Sequence, residues 1–466
     1  MTAEAADGAQ RVSEAVVASF LRTHGYTDTL ATFERECGRT YDTGPCDLRT
    51  LAEQVASLAL ARAGETAARQ ATATSASESA MQWPTYELAK TYNHLHMSNI
   101  LSVRPATYPG STASCIATTS ADRRVVFTDV SNGEVLGVLE KSARGDGPSG
   151  HDAAVLDLSQ HPQCPRFALT AGMDGRVVQW DLTTDSPVHE MRDHTRFVVR
   201  VSHSDDGRFM ATAGYDKRIH IYAVDVRDGR PMYMRLHSLT LPTNPEALLF
   251  VPGPMTPGHA SSDERLWLVY TARDRVVLHY VALPIGREAP GTPDWSVLAY
   301  NTNADPDDEH VSYSLLHLSV HPSGRYIAAQ TGDHNVPSGS DSDSPSLSRI
   351  LLMPLFSAHR HATLWTSAPT SAYASPRHAW MPHGQGVWVT GDDGVLRLVS
   401  LDGTLRAIVR CHGAAPDAAP GRVGEALAAA AWRSGGNTLV KGVTVLPDGR
   451  IASCGFDRTV RILQAL

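Results

Sequence analysis

The sequence predicts an all-β domain built by repetition and preceded by a small α-helical module. Three observations lead there. Two stretches near the middle of the chain repeat one another. The first, His151 to Asp181, ends Thr170-Ala171-Gly172-Met173-Asp174-Gly175-Arg176-Val177-Val178-Gln179-Trp180-Asp181. The second, His194 to Tyr222, ends Thr212-Ala213-Gly214-Tyr215-Asp216-Lys217-Arg218-Ile219-His220-Ile221-Tyr222. The internal period is about forty residues. Apolar and polar residues alternate at the strand period between turn pairs such as Asp174-Gly175, Asp206-Gly207 and Asp448-Gly449, which reads as successive antiparallel strands. At the N-terminus, by contrast, Val16, Val17, Phe20, Leu21, Leu30 and Phe33 fall at helical spacing.

In both copies a His precedes a Thr that lies four residues before an Asp, and an aromatic follows that Asp by six. This arrangement resembles the WD-repeat family. The resemblance implies that each unit is one blade of a β-propeller, a fold that serves mainly as a binding platform. It further implies a hydrogen-bonded chain of His151, Thr170, Asp174 and Trp180 in one blade and of His194, Thr212, Asp216 and Tyr222 in the next. Its role is structural, because a stranded buried donor or acceptor costs roughly 1–3 kcal/mol.

Other copies are more worn. Thr118 and Asp122 keep the spacing with Thr128 in the aromatic place. Ser453 and Asp457 keep it with Leu463 there, and Asp274 is followed by Tyr280 with no Ser or Thr behind it. Trp388 to Leu398 around Asp393 keeps only the turn and the alternation. Ser314 to Pro322 and Tyr326 to Gln330 read as the first two strands of a further unit. Units beginning near Ile100, His151, His194, His237, Leu315, Tyr373 and Lys441 make seven, the usual number in the family. The expected fold is therefore a seven-bladed β-propeller. The last unit supplies three strands, Gly442 to Leu446, Ile451 to Cys454 and Thr459 to Leu463, before the sequence stops at Leu466. A strand within 85–96 is expected to complete it and close the ring, removing open edges.

The helical segment is interrupted at His24-Gly25, giving a short hairpin. Val16, Phe20, Leu21, Gly25, Tyr26, Leu30, Phe33 and Glu36 carry a resemblance to the LisH motif, although Phe20 stands where that family more often has Tyr. The resemblance implies pairing with a second copy. Two helices of roughly ten residues bury too little apolar surface alone, which agrees with a homodimer. Asp47 to Ala68 reads as a further helix with Leu48, Leu51, Val55 and Leu58 at three- and four-residue steps, and only about two heptads favour a coiled coil. The expected organisation is a disordered start over 1–11, a helical dimerisation motif over 12–44, a helix over 45–70, a linker over 71–84 and the propeller over 85–466.

Composition narrows the function classes. No run of about eighteen apolar residues is present and Met1 to Gln10 lacks an apolar core, so neither a membrane span nor a secretion leader is expected. The six cysteines show no ligand spacing, so an intracellular chain of cytoplasm or nucleus, without a zinc site or disulfides, is expected. A net charge of −8 and the lack of a long basic run argue against general nucleic-acid binding. Of the twenty-one histidines, the close pairs His94/His96 and His359/His361 have no third ligand at a motif spacing. No phosphate loop, nucleophile elbow or kinase set occurs. No cofactor, metal or catalytic residue is expected.

The propeller resemblance implies that the residue before each turn Asp reaches the rim of one face near the central channel. Those positions are Met173, Tyr215 and Phe456, with Ala121, Arg273 and Asp392. Large amphipathic groups there suit a protein or peptide partner. Pro337 to Ser348 reads as an acidic loop between blades, rich in Ser and Asp, and its Ser340-Asp341-Ser342-Asp343-Ser344-Pro345 presents hydroxyls that acidophilic or proline-directed kinases accept. The expected function is a non-catalytic dimeric scaffold or adaptor that holds a partner in a complex of ubiquitin-ligase, corepressor or motor-regulator type. The ligase branch is weakened because Trp180-Asp181-Leu182-Thr183 lacks the Arg, and Val224-Asp225-Val226-Arg227 the Trp, of the Trp-Asp-x-Arg blade end. The alternative is a small ligand or catalysis in the central channel. Only Arg273 and Asp392 of the six positions are charged, which disfavours it.

Overall fold

Strand propensity and alternation place four strands in every repeat, and the computed structural model joins them into seven four-stranded antiparallel sheets. It describes residues 18, 21–22, 25–37, 40, 83–142, 147–254, 264–284, 295–303, 314–332, 346–371, 375–413 and 438–466. The chain divides into two units, Met1–Gln82 and Trp83–Leu466.

The second unit is a seven-bladed propeller. The inner strands, in blade order, are Ile100–Ala106, Val155–Gln160, Val198–His203, Pro245–Pro254, Ser314–Val320, His378–Trp380 and Val440–Val445. Each neighbours the inner strands of the blades before and after it, and the last neighbours the first. The core follows from this geometry. Each sheet is covered on both faces, so its middle strands read as apolar runs: Phe167–Gly172, Phe209–Gly214 and Gly386–Thr390 are buried throughout. Seven apolar layers result, one at each interface between consecutive blades. Phe127 and Trp180 sit between blades 1 and 2, Met210 and Tyr222 between 2 and 3, and Cys454 and Ile116 between 7 and 1.

Closure of the ring is made by Tyr86–Tyr92, which pairs antiparallel with Val460–Ala465 from Tyr86↔Ala465 to Tyr92↔Val460. Tyr86 and Tyr92 turn into the layers at 6/7 and 7/1. Arg461 Nη1 donates to Thr91 Oγ1 at 2.7 Å and Leu466 N to the Thr85 carbonyl at 2.8 Å. The first and last strands of the propeller are thus held by ladder bonds as well as by packing.

Three expectations from sequence are corrected. His237 does not begin a blade. It lies in the outer strand Arg230–Thr240 of blade 3, opposite Ile221, and blade 4 begins at Pro245. Pro337 to Ser348 is not wholly a loop, since Ser346–Pro354 is a strand of blade 5. Tyr280 does not occupy the Trp place. In blades 2 and 3 the aromatic pairs with the residue six before the turn Asp, Trp180 with Ala168 and Tyr222 with Met210. Tyr280 instead pairs with Val269, five before Asp274, because the blade 4 turn holds one residue more. A one-residue slip exchanges the two faces of a strand. Tyr280 therefore packs into the layer towards blade 5, and Val281 takes the face towards blade 3.

The first unit contains the helix Thr27–Cys37, with Asp28 in its first turn and Arg35 in its last, the signs that oppose the helix dipole. Leu21 and Arg22 are helical as well. Gly25, at φ +74°, ends that preceding turn: Tyr26 N donates to the Leu21 carbonyl at 2.9 Å and Gly25 N to the Arg22 carbonyl at 3.2 Å. This is a Schellman ending, which requires a left-handed residue at the Gly25 position. Leu30 is buried, while Tyr26 is 53% exposed and Phe33 half-buried. Val16, Phe20, Tyr373, the segment Asp47 to Ala68, the linker as far as residue 82 and the serine cluster 340–345 lie outside the described residues. No helix among the described residues is long and apolar enough to cross a membrane.

Candidate interaction face and central channel

The buried hydrogen-bond chains fix the turns that form one face of the ring. In blade 2, Trp180 Nε1 can only donate and the Asp174 carboxylate only accept, so the chain has a single polarity. Trp180 Nε1–H donates to Thr170 Oγ1 at 2.8 Å, the Thr170 hydroxyl to His151 Nε2 at 2.7 Å, and His151 Nδ1–H to Asp174 at 3.1 Å. Asp174 also accepts the N–H groups of Asp152 and Arg176 at 2.9 and 3.0 Å and the Arg176 Nε–H at 3.1 Å. Burial would raise its pKa, but the pull of His151 and the two backbone donors outweighs burial and brings it down to about 2. In blade 3, His194 stands 3.0 Å from Asp216 and 2.8 Å from Thr212. Tyr222 departs from the Trp pattern, because its hydroxyl donates to Asp193 at 2.8 Å. Gly172 and Gly214 leave room for these histidines, since a Cβ at either would collide with Nδ1 of His151 or His194.

Two further chains were missed in the sequence. His96 lies 3.0 Å from Asp122 and 2.8 Å from Thr118 in blade 1. His412 lies 2.9 Å from both Asp457 and Ser453 in blade 7. His96 precedes Thr118 by 22 residues, close to the 19 and 18 of blades 2 and 3, and was legible from that spacing. The 41 residues between His412 and Ser453 hid the other. Asp393 in blade 6 is matched by Arg397 from the following strand instead of a His, with Nη1 3.1 Å from Oδ1.

Five of the six rim positions share one backbone bond. Ala121, Met173, Tyr215, Arg273 and Phe456 donate their N–H groups to carbonyls of Asn99, Ala154, Phe197, Asn244 and Leu439, each just ahead of the inner strand of its own blade, and Asp392 donates to Pro369 near the end of the outer strand of blade 5. Their side chains are differently engaged. Arg273 Nε donates to Glu246 Oε1 at 2.6 Å, and the Tyr215 hydroxyl donates to the same oxygen at 3.3 Å. Glu246 is almost fully buried and was not singled out in the sequence. Lys441 Nζ lies 6.0 Å from the centre of the Phe456 ring, a cation–π distance. Asp392, whose pKa burial raises, bonds Ser371. Met173 is half-buried apart from these pairs. Phe197 (41% exposed) neighbours Tyr215, ring centres 6.5 Å apart, and Met97 (81% exposed) donates its N–H to Asp122 beside Ala121. Both are large apolar side chains left exposed beside rim positions.

The channel wall is made by the inner strands, not by the rim positions at which charge was counted from sequence. Six of the seven inner strands carry a bulge near their start, at Leu101, Leu156, Val199, Glu246, Leu316 and Lys441, which bends the strand and re-aims a side chain. The cavity measures about 830 Å³ and is lined by Arg104, Arg200, Arg377 and Lys441 together with Asp157, His317 and His378. Asp157 accepts from Arg104 Nη2 at 3.0 Å and from Val201 N at 3.3 Å. His317 and His378 approach through their Nδ1 atoms at 3.1 Å. Burial pushes both pKa values down, that of His378 to about 3, so the pair is neutral near pH 7.

His194, Asp216 and His220 form a compact group of potential metal ligands. Its ring nitrogens are engaged elsewhere: His194 with Asp216 and Thr212, His220 with Ser238 Oγ at 2.7 Å and the Asp193 carbonyl at 3.2 Å. A metal would have to break these bonds.

Blades 1, 2, 3 and 7 are thus each pinned by a buried His–Asp contact and blade 6 by its Arg–Asp substitute. The family model for the WD domain, G-beta repeat (WD40), matches residues 147–181 and 185–223. WD40 repeats are therefore present in blades 2 and 3, the second match starting in the outer strand of blade 2 and ending in the third strand of blade 3. The chain is also similar to guanine nucleotide-binding protein subunit beta-1 of Caenorhabditis briggsae, at 27% identity over 110 residues, 24% of this chain and 32% of that protein. The chain thus spans roughly a third of the length of this curated relative.

Proposed function

We propose that the protein is a non-catalytic scaffold whose propeller holds a protein or peptide partner on the face carrying Met173, Tyr215, Arg273, Asp392 and Phe456. The observation that carries this reading is the exposure of Phe197 and Met97 on that same face, beside the aromatic and charged rim. Apolar groups left in water around half-buried aromatics and an arginine are the usual composition of an interface core. The similar protein bears the name of a subunit, and WD40 repeats typically serve assembly, which supports the reading. Paired N-terminal helices would make the scaffold a homodimer in the cytoplasm or nucleus, of the ligase, corepressor or motor-regulator kind. The Gly25 turn and the exposed Tyr26 support that part.

The test is affinity purification of the full chain beside Tyr215→Ala/Phe456→Ala and Met97→Ser/Phe197→Ser variants whose melting temperatures match the parent. Loss of the same partner in both variants is expected. A partner list unchanged in both would overturn the face. Light scattering of the full chain against one lacking Met1 to Ala80 tests the dimer: a halved mass on truncation is expected, and a monomeric full chain overturns it.

A further inference from the structure

We infer that the central channel is a binding site for a small, multiply charged phosphate compound, held by Arg104, Arg200, Arg377 and Lys441. These four cations come from blades 1, 3, 6 and 7, so they surround the axis instead of lying on one side of it. Among the described residues no carboxylate lies within ion-pair distance of Arg200, Arg377 or Lys441; only Arg104 has one, Asp157.

Their geometry is held by backbone. Arg200 donates through Nε to the Glu246 carbonyl at 3.0 Å and through Nη1 to the Val199 carbonyl at 2.7 Å, and Arg377 Nη1 to the Leu316 carbonyl at 3.0 Å. A guanidinium carries five N–H donors in a planar fork, so both arginines keep donors for a ligand while their stems are fixed. Such preorganised forks match phosphate oxygens two at a time.

Like charges lining one channel repel, and an anion on the axis relieves that repulsion. At Lys441, burial first and then Arg200 lower the pKa to about 8, against the opposing pull of Glu246 and Asp392. His317 feels Arg104 and Arg200 as well as His378, which places both guanidinium charges on the same stretch of the axis.

Size and charge select the ligand class. A cavity of about 830 Å³ lies within the range of small-molecule sites and far exceeds a single phosphate. Four cations against two lining acids, Asp157 and Asp205, call for a compound with two or more phosphoryl groups. Arg104, Arg200 and Lys441 belong to inner strands and Arg377 lies just ahead of one, whereas the partner face is made by turns; only Lys441 of the four touches that face, beside Phe456.

Isothermal titration of the full chain at constant ionic strength with inorganic phosphate, pyrophosphate and triphosphate tests it. Saturable binding of one equivalent that tightens about tenfold or more from phosphate to triphosphate is expected. Arg377→Gln and Lys441→Met should each weaken triphosphate at least tenfold, while Arg377→Lys, which keeps the charge, weakens it less. Met234→Ser, on the exposed outer strand of blade 3, should leave it unchanged. No saturable heat with triphosphate in the parent protein overturns the inference, whether or not the variants fold. Equal affinity in parent and both neutralised variants overturns it too.

Discussion

Trp180 and Tyr222 occupy equivalent places in adjacent blades but are tied differently, and the difference sets their cost of replacement. Trp180→Phe removes the only donor that the buried Thr170 hydroxyl oxygen accepts from a side chain below the blade surface. The expected loss is about 1–3 kcal/mol. Tyr222→Phe leaves Asp193 its bond from Arg235 at 2.7 Å at a partly exposed site, so a loss of about 1 kcal/mol or less is expected. Denaturant melts of the two variants decide it, and equal losses would refute the contrast. Asp174→Asn breaks a buried charge network around His151 and Arg176 and should cost about 3 kcal/mol. At this scale the His–Thr–Asp–Trp chain was legible because its spacing repeats. Glu246 and Lys441 were not, because only the inner-strand bulges and the closing of the ring bring Glu246 to Tyr215 and Lys441 to Phe456.

At the scale of the blade, pairing register decides which face a residue serves. The longer turn of blade 4 moves Tyr280 to the layer facing blade 5, a shift of one residue that no count of residues after Asp274 reveals. Deleting the exposed Arg275 would give the turn the length found in blades 2 and 3 while leaving Tyr280 opposite Val269 and against blade 5. A loss of about 1 kcal/mol or less is expected, because the packed layers are kept. Thermal unfolding with a near-ultraviolet spectrum of the tyrosines reads it, and a large loss with a changed spectrum would contradict the assigned register. Blade 6 shows the same dependence on context, since Arg397 replaces the missing His.

For the whole molecule, closure is the device on which the ring depends. Removing Met1 to Gln82 should leave the propeller's melting temperature unchanged. Removing Met1 to Tyr92 strips the edge of Val460–Ala465 and empties the places of two buried tyrosines, a loss on the order of 5 kcal/mol with aggregation through the exposed edge. Comparable melting of the two truncations would argue that the outer strand is dispensable. The pH response is also a property of the whole. Burial lowers the folded pKa of His203 and His378 to about 3 and that of His220 to about 4. The unfolded chain then takes up those protons first as pH falls below about 6.5, and each buried His removes up to about 1.4 kcal/mol per pH unit. Asp174 and Asp457, both lowered to about 2 from 3.8, contribute stability that is full above about pH 4 and is lost as pH falls through 2. Melting temperature should decline from pH 6.5 downwards and more steeply below 4. A flat profile from pH 7.5 to 5 would contradict the neutral buried histidines.

Local pattern alone determined the strands, the repeat, the number of blades and the need for a closing strand, because alternation, turn pairs and the His–Asp spacing are properties of short stretches of chain. Which residues meet across the axis was decided only by the tertiary structure. Residues of blades 1, 3, 6 and 7 are separated by tens to hundreds of positions and share no periodicity, so the basic channel arises from the curvature that brings seven inner strands to one axis.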